Sequence, residues 1–299
     1  MTLSLRSLAG GGLLAAVAAL TAGGSAQAAT VAPAPVQAGA VSQQAGPASG
    51  TWRFGASLND ANDAARLSAM MGRPLTSGRV YFPGAPPTKW SDSSILLSVP
   101  SNGIVTVSFK AGDPAQVGAF LAGHPATQKC YASYYPEPED NFPTAAGKAG
   151  YQAAWARYAP EIRKAGCVPT AVLMAWSLNP NSGRDWHDWY PKGNVDVLAW
   201  DMYNTQASKG LYAAPADMFK RVFEVRTETG LPVGVPEVGS TLAVGTTPAA
   251  RAAWAHSFAV YARTNGVLFA DWWDSAANKP AGGTKDYTMD TLIAQGWHR

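Results

Sequence analysis

Residues 195–235 read VDVLAWDMYNTQASKGLYAAPADMFKRVFEVRTETGLPVGV. A β-rich run, Val195–Trp200, opens this stretch, and a helical segment, Pro215–Thr229, follows it. A second β-rich run, Pro232–Val235, closes the stretch. A strand, a helix and another strand in this order predict a βαβ unit with two parallel strands.

The same alternation continues in both directions along the chain. Predicted strands cover Trp52–Leu58, Gly78–Phe82, Ile104–Phe109, Cys130–Tyr135, Ala171–Ser177, Val195–Trp200, Pro232–Val235 and Gly266–Trp272. Predicted helices cover Asp60–Met71, Pro114–Gly123, Ala145–Ala165, Pro215–Thr229 and Pro248–Thr264, and Asp286–Gln295 closes the chain. Residues 178–194 are rich in Asn, Gly, Asp and Trp and predict no helix. Because eight strands are separated by mostly helical connections, we predict an α/β fold closed into a (β/α)8 TIM barrel.

The first 50 residues have a different composition from the rest. Arg6, the apolar run Leu13–Leu20 and the small-x-small site at Ala26–Ala28 indicate a secretory signal peptide over 1–28. The apolar run is shorter than the roughly 20 residues that a membrane span needs. Residues 29–50 hold no charge and no aromatic, which indicates a disordered Ala/Pro/Gln linker. We therefore expect a secreted, extracellular monomer without membrane attachment after signal cleavage, whose barrel domain covers 51–299.

Composition narrows the classes of partner. The net charge is only +3 and no basic run occurs, so the sequence does not indicate a nucleic-acid partner. Charged residues make up 14% of the chain, which also has 11 Trp and 11 Tyr. Such aromatics suit stacking on neutral sugar rings and equally suit packing in a core, and composition leaves both open. The four histidines, His124, His187, His256 and His298, form no HExxH or HxH pattern, so we expect no metal and no other cofactor.

The chain has two cysteines, Cys130 and Cys167. Both fall at or just before the starts of the fourth and fifth predicted strands, which are neighbours in a closed barrel. In an exported protein such a pair predicts a disulfide, whereas two free buried thiols are the alternative.

Two glutamates follow strands that lie across the predicted barrel from each other. Glu137 ends strand four and Glu237 ends strand seven, both in apolar and aromatic surroundings. In a TIM barrel the active site lies at the carboxyl ends of the strands. Hydrolysis of a glycosidic bond needs one carboxylic acid for the leaving oxygen and a second carboxylate on the other side of the sugar. The pair therefore predicts a glycoside hydrolase.

Three segments carry a resemblance to a known family. They are YYPEPEDN at 134–141, VDVLAWDMYN at 195–204 and PEVG at 236–239. Together they resemble glycoside hydrolase family 26, which includes the β-mannanases and belongs to a clan of retaining (β/α)8 glycosidases. The resemblance implies that Glu137 is the acid/base and Glu237 the nucleophile of a hydrolase of a β-linked polysaccharide or oligosaccharide.

The resemblance also implies further roles. Tyr203 matches a tyrosine that contacts the nucleophile, and Trp272 or Trp273 matches an aromatic floor under the reacting sugar. Pro136 stands where the family usually has a histidine, and Glu139, two residues beyond Glu137, is the competing choice for the acid. Other candidates for sugar binding come from strand ends and from the aromatic loop at 184–190: Tyr135, Trp176, Trp186, Asp201 and Asn204. Arg79, Tyr81 and Trp90 are further candidates for the cleft wall, and Lys110 has no assigned role.

Two other functions stay open. Pro136 favours a catalytically inactive barrel that only binds glycans. A deacetylase or metal-dependent hydrolase would need His and Asp clusters at the strand ends, where His187 is the only histidine. The separation of the Glu137 and Glu237 carboxylates distinguishes a retaining glycosidase from the first alternative.

Overall fold

A computed structural model describes residues 53–276 and 286–297 of the chain. Eight parallel strands follow one another in chain order and close into a barrel, which confirms the predicted TIM barrel. The strands are β1 (Arg53–Ser57), β2 (Ser77–Phe82), β3 (Ile104–Phe109), β4 (Lys129–Tyr134), β5 (Val168–Met174), β6 (Val197–Tyr203), β7 (Val233–Gly239) and β8 (Phe269–Trp272). The predicted signal peptide at 1–28 and linker at 29–50 lie outside the described residues.

Helices surround the barrel. They are α1 (Asp63–Met71), α2 (Ser94–Ser98), α3 (Pro114–Leu121), α4 (Ala145–Lys164), α5 (Pro215–Thr229), α6 (Pro248–Thr264) and α7 (Thr291–Trp297). Several begin at side chains that cap free backbone N–H groups, such as Asp113 before α3, Thr144 before α4 and Thr247 before α6. Between β5 and β6 the chain forms three short 3₁₀ helices, Ala175–Leu178, Pro180–Ser182 and Trp186–Trp189.

Strand boundaries differ from prediction at the site end of the barrel. β5 ends at Met174, so Trp176 and Ser177 lie in a 3₁₀ helix and not in the strand. β6 and β7 run on to Tyr203 and Gly239, several residues beyond the predicted ends. The polar residues at those ends hid the extension, because side chains that face a barrel mouth interrupt the apolar run that indicates a buried strand.

β7 carries an extra residue at Pro236. Its pairing with β6 passes from Ala199↔Gly234 to Asp201↔Glu237, so three steps on β7 match two on β6. The pairing with β8 shows the same excess between Val235 and Val238. Proline has no N–H to give to the sheet, and bulges of this kind redirect side chains near active sites. The bulge therefore sets the direction of Glu237.

A disulfide lies at the opposite end of the barrel. Cys130 at the start of β4 and Cys167 just before β5 are joined, as predicted from their positions. Between the strands and the helices lies a continuous apolar core, which holds large side chains such as Trp155, Trp200 and Phe258. Within 53–276 and 286–297 no helix is long and apolar enough to cross a membrane.

Candidate active site

A cavity of about 460 Å³ opens at the carboxyl ends of the strands. Its volume lies within the range of small-molecule sites, about 300–1,000 Å³. Its walls are built from β2, β6 and β7 and from the segments that follow β3, β4 and β8. The lining residues are Arg79, Tyr81, Lys110, Pro136, Glu137, Tyr203, Glu237, Trp273 and Tyr287.

Strand periodicity explains why these side chains meet. Alternate residues of a strand point to the same face, so Arg79 and Tyr81 of β2 both face the inside of the barrel. Asp201 and Tyr203 of β6 are likewise two residues apart and both face the inside of the barrel. In each pair the first residue lies deeper and the second nearer the mouth. A buried charged layer therefore underlies a layer of aromatic and polar groups that is open to a ligand.

Glu237 is held by two donors at the base of the cavity. Nε of Arg79 donates to Oε1 of Glu237 at 3.0 Å, and Nη2 of the same guanidinium makes a second short contact with that oxygen. The hydroxyl of Tyr203 donates to Oε2 at 2.5 Å. Both donors stabilise a negative charge on Glu237 and fix its orientation. Burial and the neighbouring Glu237 charge raise the pKa of Tyr203, which keeps the phenol protonated as a donor.

Glu137 has different surroundings. No described side chain donates to its carboxylate, and the group is partly buried on the cavity wall. Burial, followed by the charge of Glu237, raises the pKa of Glu137 to about 7, although Arg79 and Lys110 oppose the shift. Glu137 is therefore largely protonated below neutral pH.

The backbone that carries Glu137 is strained. Glu137 and Tyr135 are the two described non-glycine residues with left-handed φ angles, 52° and 48°. The peptide N–H of Glu137 donates to the carbonyl of Val172 in β5 at 2.9 Å, which anchors the turn. Such conformations cost of order 1–3 kcal/mol each and cluster at functional sites. Pro136 lies between them, and its ring fixes the φ angle of the middle residue of the turn.

Three carboxylates converge in the cavity. One oxygen each of Glu137, Asp201 and Glu237 lies within 4.8 Å of the others. Asp201 is fully buried beneath the pair, and Nη2 of Arg79 is 4.0 Å from its Oδ2. Burial and the charge of Glu237 raise the pKa of Asp201 well above its ordinary value. Three such oxygens could also hold a cation, but the Arg79 guanidinium already supplies a positive charge to two of the three carboxylates.

The competing acid, Glu139, faces away from this cavity. It is 2% exposed, and its Oε1 accepts from the backbone N–H of Met174 at 2.8 Å and from the Ser177 hydroxyl at 3.2 Å. These bonds tie the loop after β4 to the end of β5. The structure thus gives Glu139 a bracing role and leaves Glu137 on the cavity wall.

The two tryptophans at the end of β8, Trp272 and Trp273, point to opposite sides, as strand alternation requires. Trp273 lines the cavity. Trp272 is fully buried, donates from its indole N–H to the carbonyl of Tyr287, and packs edge-on against Trp254 and Trp297. The prediction that Trp272 binds substrate is therefore wrong, because its ring lies on the core side of the strand.

Other predicted contacts lie elsewhere. Asn204 is buried, and its amide donates to Leu211 and Ser240, so it braces the β6 loop. Trp186 is 8% exposed, with its ring stacked on His187 and edge-on to Trp200. Trp176 is 48% exposed but does not line the cavity. None of these three residues lines the cavity that holds Glu137 and Glu237, and their role in sugar binding stays a prediction.

Three other residues have positions in the structure that differ from what the sequence predicted for them. Trp90 is buried against Phe120 and does not form the cleft wall. Arg79, expected only as wall, is the central cation of the site. Tyr287, which the sequence analysis missed, lines the cavity and lies edge-on to Tyr203 with 5.1 Å between ring centroids. It comes from a segment between β8 and α7, where no strand-end pattern indicated a site residue. Tyr135 flanks the cavity through its contact with Lys110.

Comparison with known proteins shows the same architecture in glycoside hydrolases. The GH26 domain of an endo-β-mannanase/endo-β-glucanase from Prevotella bryantii superposes with a TM-score of 0.54 at 10% identity, over 83% of this chain and 88% of that chain. A GH26 endo-β-1,4-mannanase from Bacillus sp. JAMB-750 gives 0.55 at 12% identity, over 83% and 85%. A GH128 endo-β-1,3-glucanase from Amycolatopsis mediterranei, in complex with laminaripentaose, gives 0.55 at 15% identity, over 83% and 98%. At these identities the likeness establishes the barrel fold.

The sequence matches no family model and no curated protein.

Proposed function

We propose that this protein is a retaining glycoside hydrolase, similar to family 26, that cleaves a β-linked polysaccharide or oligosaccharide. The observation that carries the proposal is the convergence of Glu137 and Glu237 at one cavity, with carboxylate oxygens within 4.8 Å. Retaining enzymes hold the two carboxyl groups about 5–5.5 Å apart, whereas inverting enzymes need about 6.5–9.5 Å to fit a water between them. The separation supports the retaining mechanism.

The unequal environments of the two carboxyl groups support separate roles. Glu237 receives hydrogen bonds from Arg79 and Tyr203, which favour the anion that a nucleophile must be. Glu137 receives none from the described side chains, and its pKa of about 7 favours the protonated form that an acid must have. The buried Arg79 guanidinium therefore stabilises the anion of Glu237, whereas Glu137 has no such donor and favours the protonated form.

In the first step, we propose, an oxygen of Glu237 attacks the anomeric carbon while Glu137 gives its proton to the departing glycosidic oxygen. The C–O bond to the leaving group breaks, and a glycosyl ester forms on Glu237. Oε1 and Oε2 of Glu237 are both hydrogen-bonded at the start, so the attacking oxygen exchanges one of these bonds for the new C–O bond. Tyr203, whose hydroxyl lies nearer the mouth, is the donor best placed to release it.

In the second step Glu137 is an anion and acts as the base. It takes a proton from water, whose oxygen attacks the anomeric carbon and displaces Glu237. Loss of the negative charge on Glu237 in the ester removes one of the causes that raise the Glu137 pKa. The pKa of Glu137 therefore falls when it must be a base and rises again when Glu237 is released.

Several features support a sugar as the ligand. The cavity wall combines the rings of Tyr81, Trp273 and Tyr287 with charged and hydroxyl groups, the mixture that stacks on sugars and binds their hydroxyls. Two proteins of similar structure are named as an endo-β-mannanase/endo-β-glucanase and an endo-β-1,3-glucanase. We propose that this chain also binds a β-linked glycan.

We propose further that the protein is exported by its N-terminal segment and acts outside the cell. The disulfide between Cys130 and Cys167 supports this, because such bonds persist in oxidising compartments.

The second candidate is an inactive barrel that binds glycans without cleaving them. Pro136 favours it, since this residue replaces the side-chain hydrogen-bonding partner of the acid in the family that the sequence resembles. The convergence of both carboxylates argues against it, because a binding protein has no need for a strained turn that presents Glu137 to Glu237.

A panel of β-linked polysaccharides with a reducing-sugar assay tests the proposal. The wild type is compared with Glu137→Gln and Glu237→Gln, and with Glu224→Gln, an exposed residue of α5, as the matched control. We expect the control to match the wild type and Glu237→Gln to lose at least about 10³-fold in rate. Binding of a glycan without cleavage by the wild type would identify the inactive barrel instead.

A further inference from the structure

Lys110 is a cavity residue that the catalytic scheme does not use. It follows β3 directly, and its backbone N–H donates to the carbonyl of Gly84 at 3.1 Å. The next residue, Ala111, donates to the same carbonyl at 3.2 Å. These two bonds fix the end of β3 to the loop after β2. The Lys110 side chain lines the cavity together with Glu137.

The ammonium group of Lys110 has no acidic partner within ion-pair distance among residues 53–276 and 286–297. Its described neighbours are aromatic faces: Nζ lies 5.0 Å from the centre of the Tyr135 ring and 5.9 Å from that of Tyr81. Rings stabilise a cation without neutralising it. Two tyrosines therefore hold this cation in place while its charge and its hydrogen-bond donors stay available.

The charges around the cavity show why Lys110 stands out. The other lining cation, Arg79, is paired with Glu237. Burial, followed by the charge of Glu237, raises the pKa of Glu137 to about 7, and Tyr81, Tyr203 and Tyr287 contribute hydroxyl groups to the wall. Asp201 lies behind the wall, and burial, followed by the charge of Glu237, raises its pKa well above the ordinary value. Among the described residues that line the cavity, Lys110 is therefore the cation without an ion-pair partner.

We propose that Lys110 is a specificity-determining residue that binds an anionic substituent of the substrate. The substrate would be a β-linked glycan that carries a uronate carboxylate or a sulfate ester on a sugar next to the cleaved bond. The inference rests on the proposed function, which it extends from β-linked glycans in general to acidic ones. A neutral glycan would leave this cation unpaired inside a cavity that the sugar has closed to water, which is unfavourable.

Lys110 has one other conceivable use. Its charge lowers the pKa of Glu137, in opposition to burial, so it could act only through that residue. In that case Lys110→Met would shift the pH profile equally on every substrate. Recognition of an anionic substituent instead predicts a much larger loss on acidic substrates than on neutral ones. Each variant is therefore compared at its own optimal pH.

The experiment uses matched pairs of polymers. β-Mannan and β-1,3-glucan are assayed untreated, after oxidation of C6 to the carboxylate, and after partial sulfation. Lys110→Met is the test variant. Lys129→Met is the matched control, because Lys129 lies at the opposite end of the barrel with its Nζ also near a tyrosine ring, 5.8 Å from the centre of Tyr131.

We expect the wild type to cleave at least one anionic polymer more efficiently than its neutral parent. Lys110→Met should lose roughly 10- to 100-fold in kcat/KM on that polymer, the usual scale for a hydrogen bond to a charged group. Its loss on the neutral parent should be smaller by about that factor, and Lys129→Met should match the wild type on both. Loss on the carboxylated or on the sulfated form tells which anion is bound. A preference for neutral polymers, or a preference for anionic ones that survives in Lys110→Met, would overturn the inference.

A binding measurement separates this inference from the proposed function. Calorimetry with the Glu237→Gln variant compares the anionic and the neutral oligosaccharides. Tighter binding of the anionic form that disappears in Glu237→Gln/Lys110→Met supports the recognition role even where no hydrolysis is detected. Hydrolysis of neutral glycans with equal binding of both forms would instead retain the proposed function and reject the role of Lys110.

Discussion

The hydroxyl of Tyr203 donates a 2.5 Å hydrogen bond to Oε2 of Glu237. The two residues lie on adjacent strands, β6 and β7, and the bulge at Pro236 brings Glu237 opposite Asp201, two residues before Tyr203. The tyrosine ring is also supported edge-on by Tyr287. This bond holds Glu237 from the side of the cavity mouth, opposite the guanidinium of Arg79.

Tyr203→Phe removes this hydroxyl and keeps the ring. Because a hydrogen bond to a charged group contributes about 1.5–3 kcal/mol, we expect kcat/KM to fall roughly 10- to 100-fold. Tyr261→Phe, on α6 and outside the cavity, is the control and should match the wild type. Steady-state kinetics on a cleaved polymer make the comparison. Full activity in Tyr203→Phe would show that the hydroxyl does not serve the nucleophile.

The protonated Glu137 predicts a pH dependence. Its pKa of about 7 is raised by burial first and by Glu237 second, so the acid form is lost as the pH rises through about 7. We expect kcat/KM to decline on the alkaline side with that midpoint. Glu137→Gln should lose this limb together with most of its activity on substrates with poor leaving groups. An alkaline limb that persists in the variant would assign the titration to another group.

Asp271 on β8 predicts a pH dependence of stability. Burial raises its pKa to about 7, opposed by Ser77 and Arg79, whereas an unfolded aspartate titrates near about 3.9. Between these values the folded state keeps a proton that the unfolded state releases. Its contribution to stability is therefore fully present below pH about 4 and falls by up to about 1.4 kcal/mol per pH unit until about 7.

Asp271→Asn removes that titration. We measure the stability of this variant relative to the wild type by urea denaturation. We expect that relative stability to be higher at pH 8 than at pH 4. Asp217→Asn, exposed on α5, should show the same difference from the wild type at both values. A pH-independent difference for Asp271→Asn would mean that the folded state holds this aspartate charged.

Removal of the disulfide is expected to lower stability and to leave activity unchanged. Cys130 and Cys167 are 37 residues apart, and the chain-entropy relation for a loop of that size gives about 3–4 kcal/mol. We expect Cys130→Ser/Cys167→Ser to lose stability on this scale in denaturant titrations. Its kcat/KM at low temperature should be that of the wild type, because the bond lies at the end of the barrel opposite Glu237. A selective loss of kcat without a loss of stability would contradict this.

The barrel and the glutamate pair could be predicted because the sequence repeats strands and helices in a regular order. Strands that repeat with helices between them fix where strand ends must gather, so strand-end position together with apolar and aromatic surroundings indicated Glu137 and Glu237. Strand alternation likewise anticipated that only one of Trp272 and Trp273 would face the cavity. Glu137 was preferred over Glu139 for its place at the strand end, and the bonds of Glu139 to Met174 and Ser177 now give the physical reason.

The remaining parts of the site depend on contacts that sequence pattern does not encode. Arg79 lies within a strand, and its importance follows from the Glu237 carboxylate 158 residues away. Trp186 and Asn204 have the right residue types near the right strands, but local packing turns both away from the cavity. Tyr287 reaches the site from a segment that belongs to no strand. In each case tertiary contacts decided the direction of a side chain.

The anomeric configuration of the first product tests the central claim most directly. A ¹H NMR time course on a β-linked oligosaccharide that the enzyme cleaves follows the new reducing end before it equilibrates in water. The pair Glu137 and Glu237, with oxygens within 4.8 Å, predicts that the β anomer forms first and the α anomer appears only by slow mutarotation. Initial release of the α anomer would contradict the account, because it would require a water between the two carboxylates and leave Glu237 without its role as nucleophile.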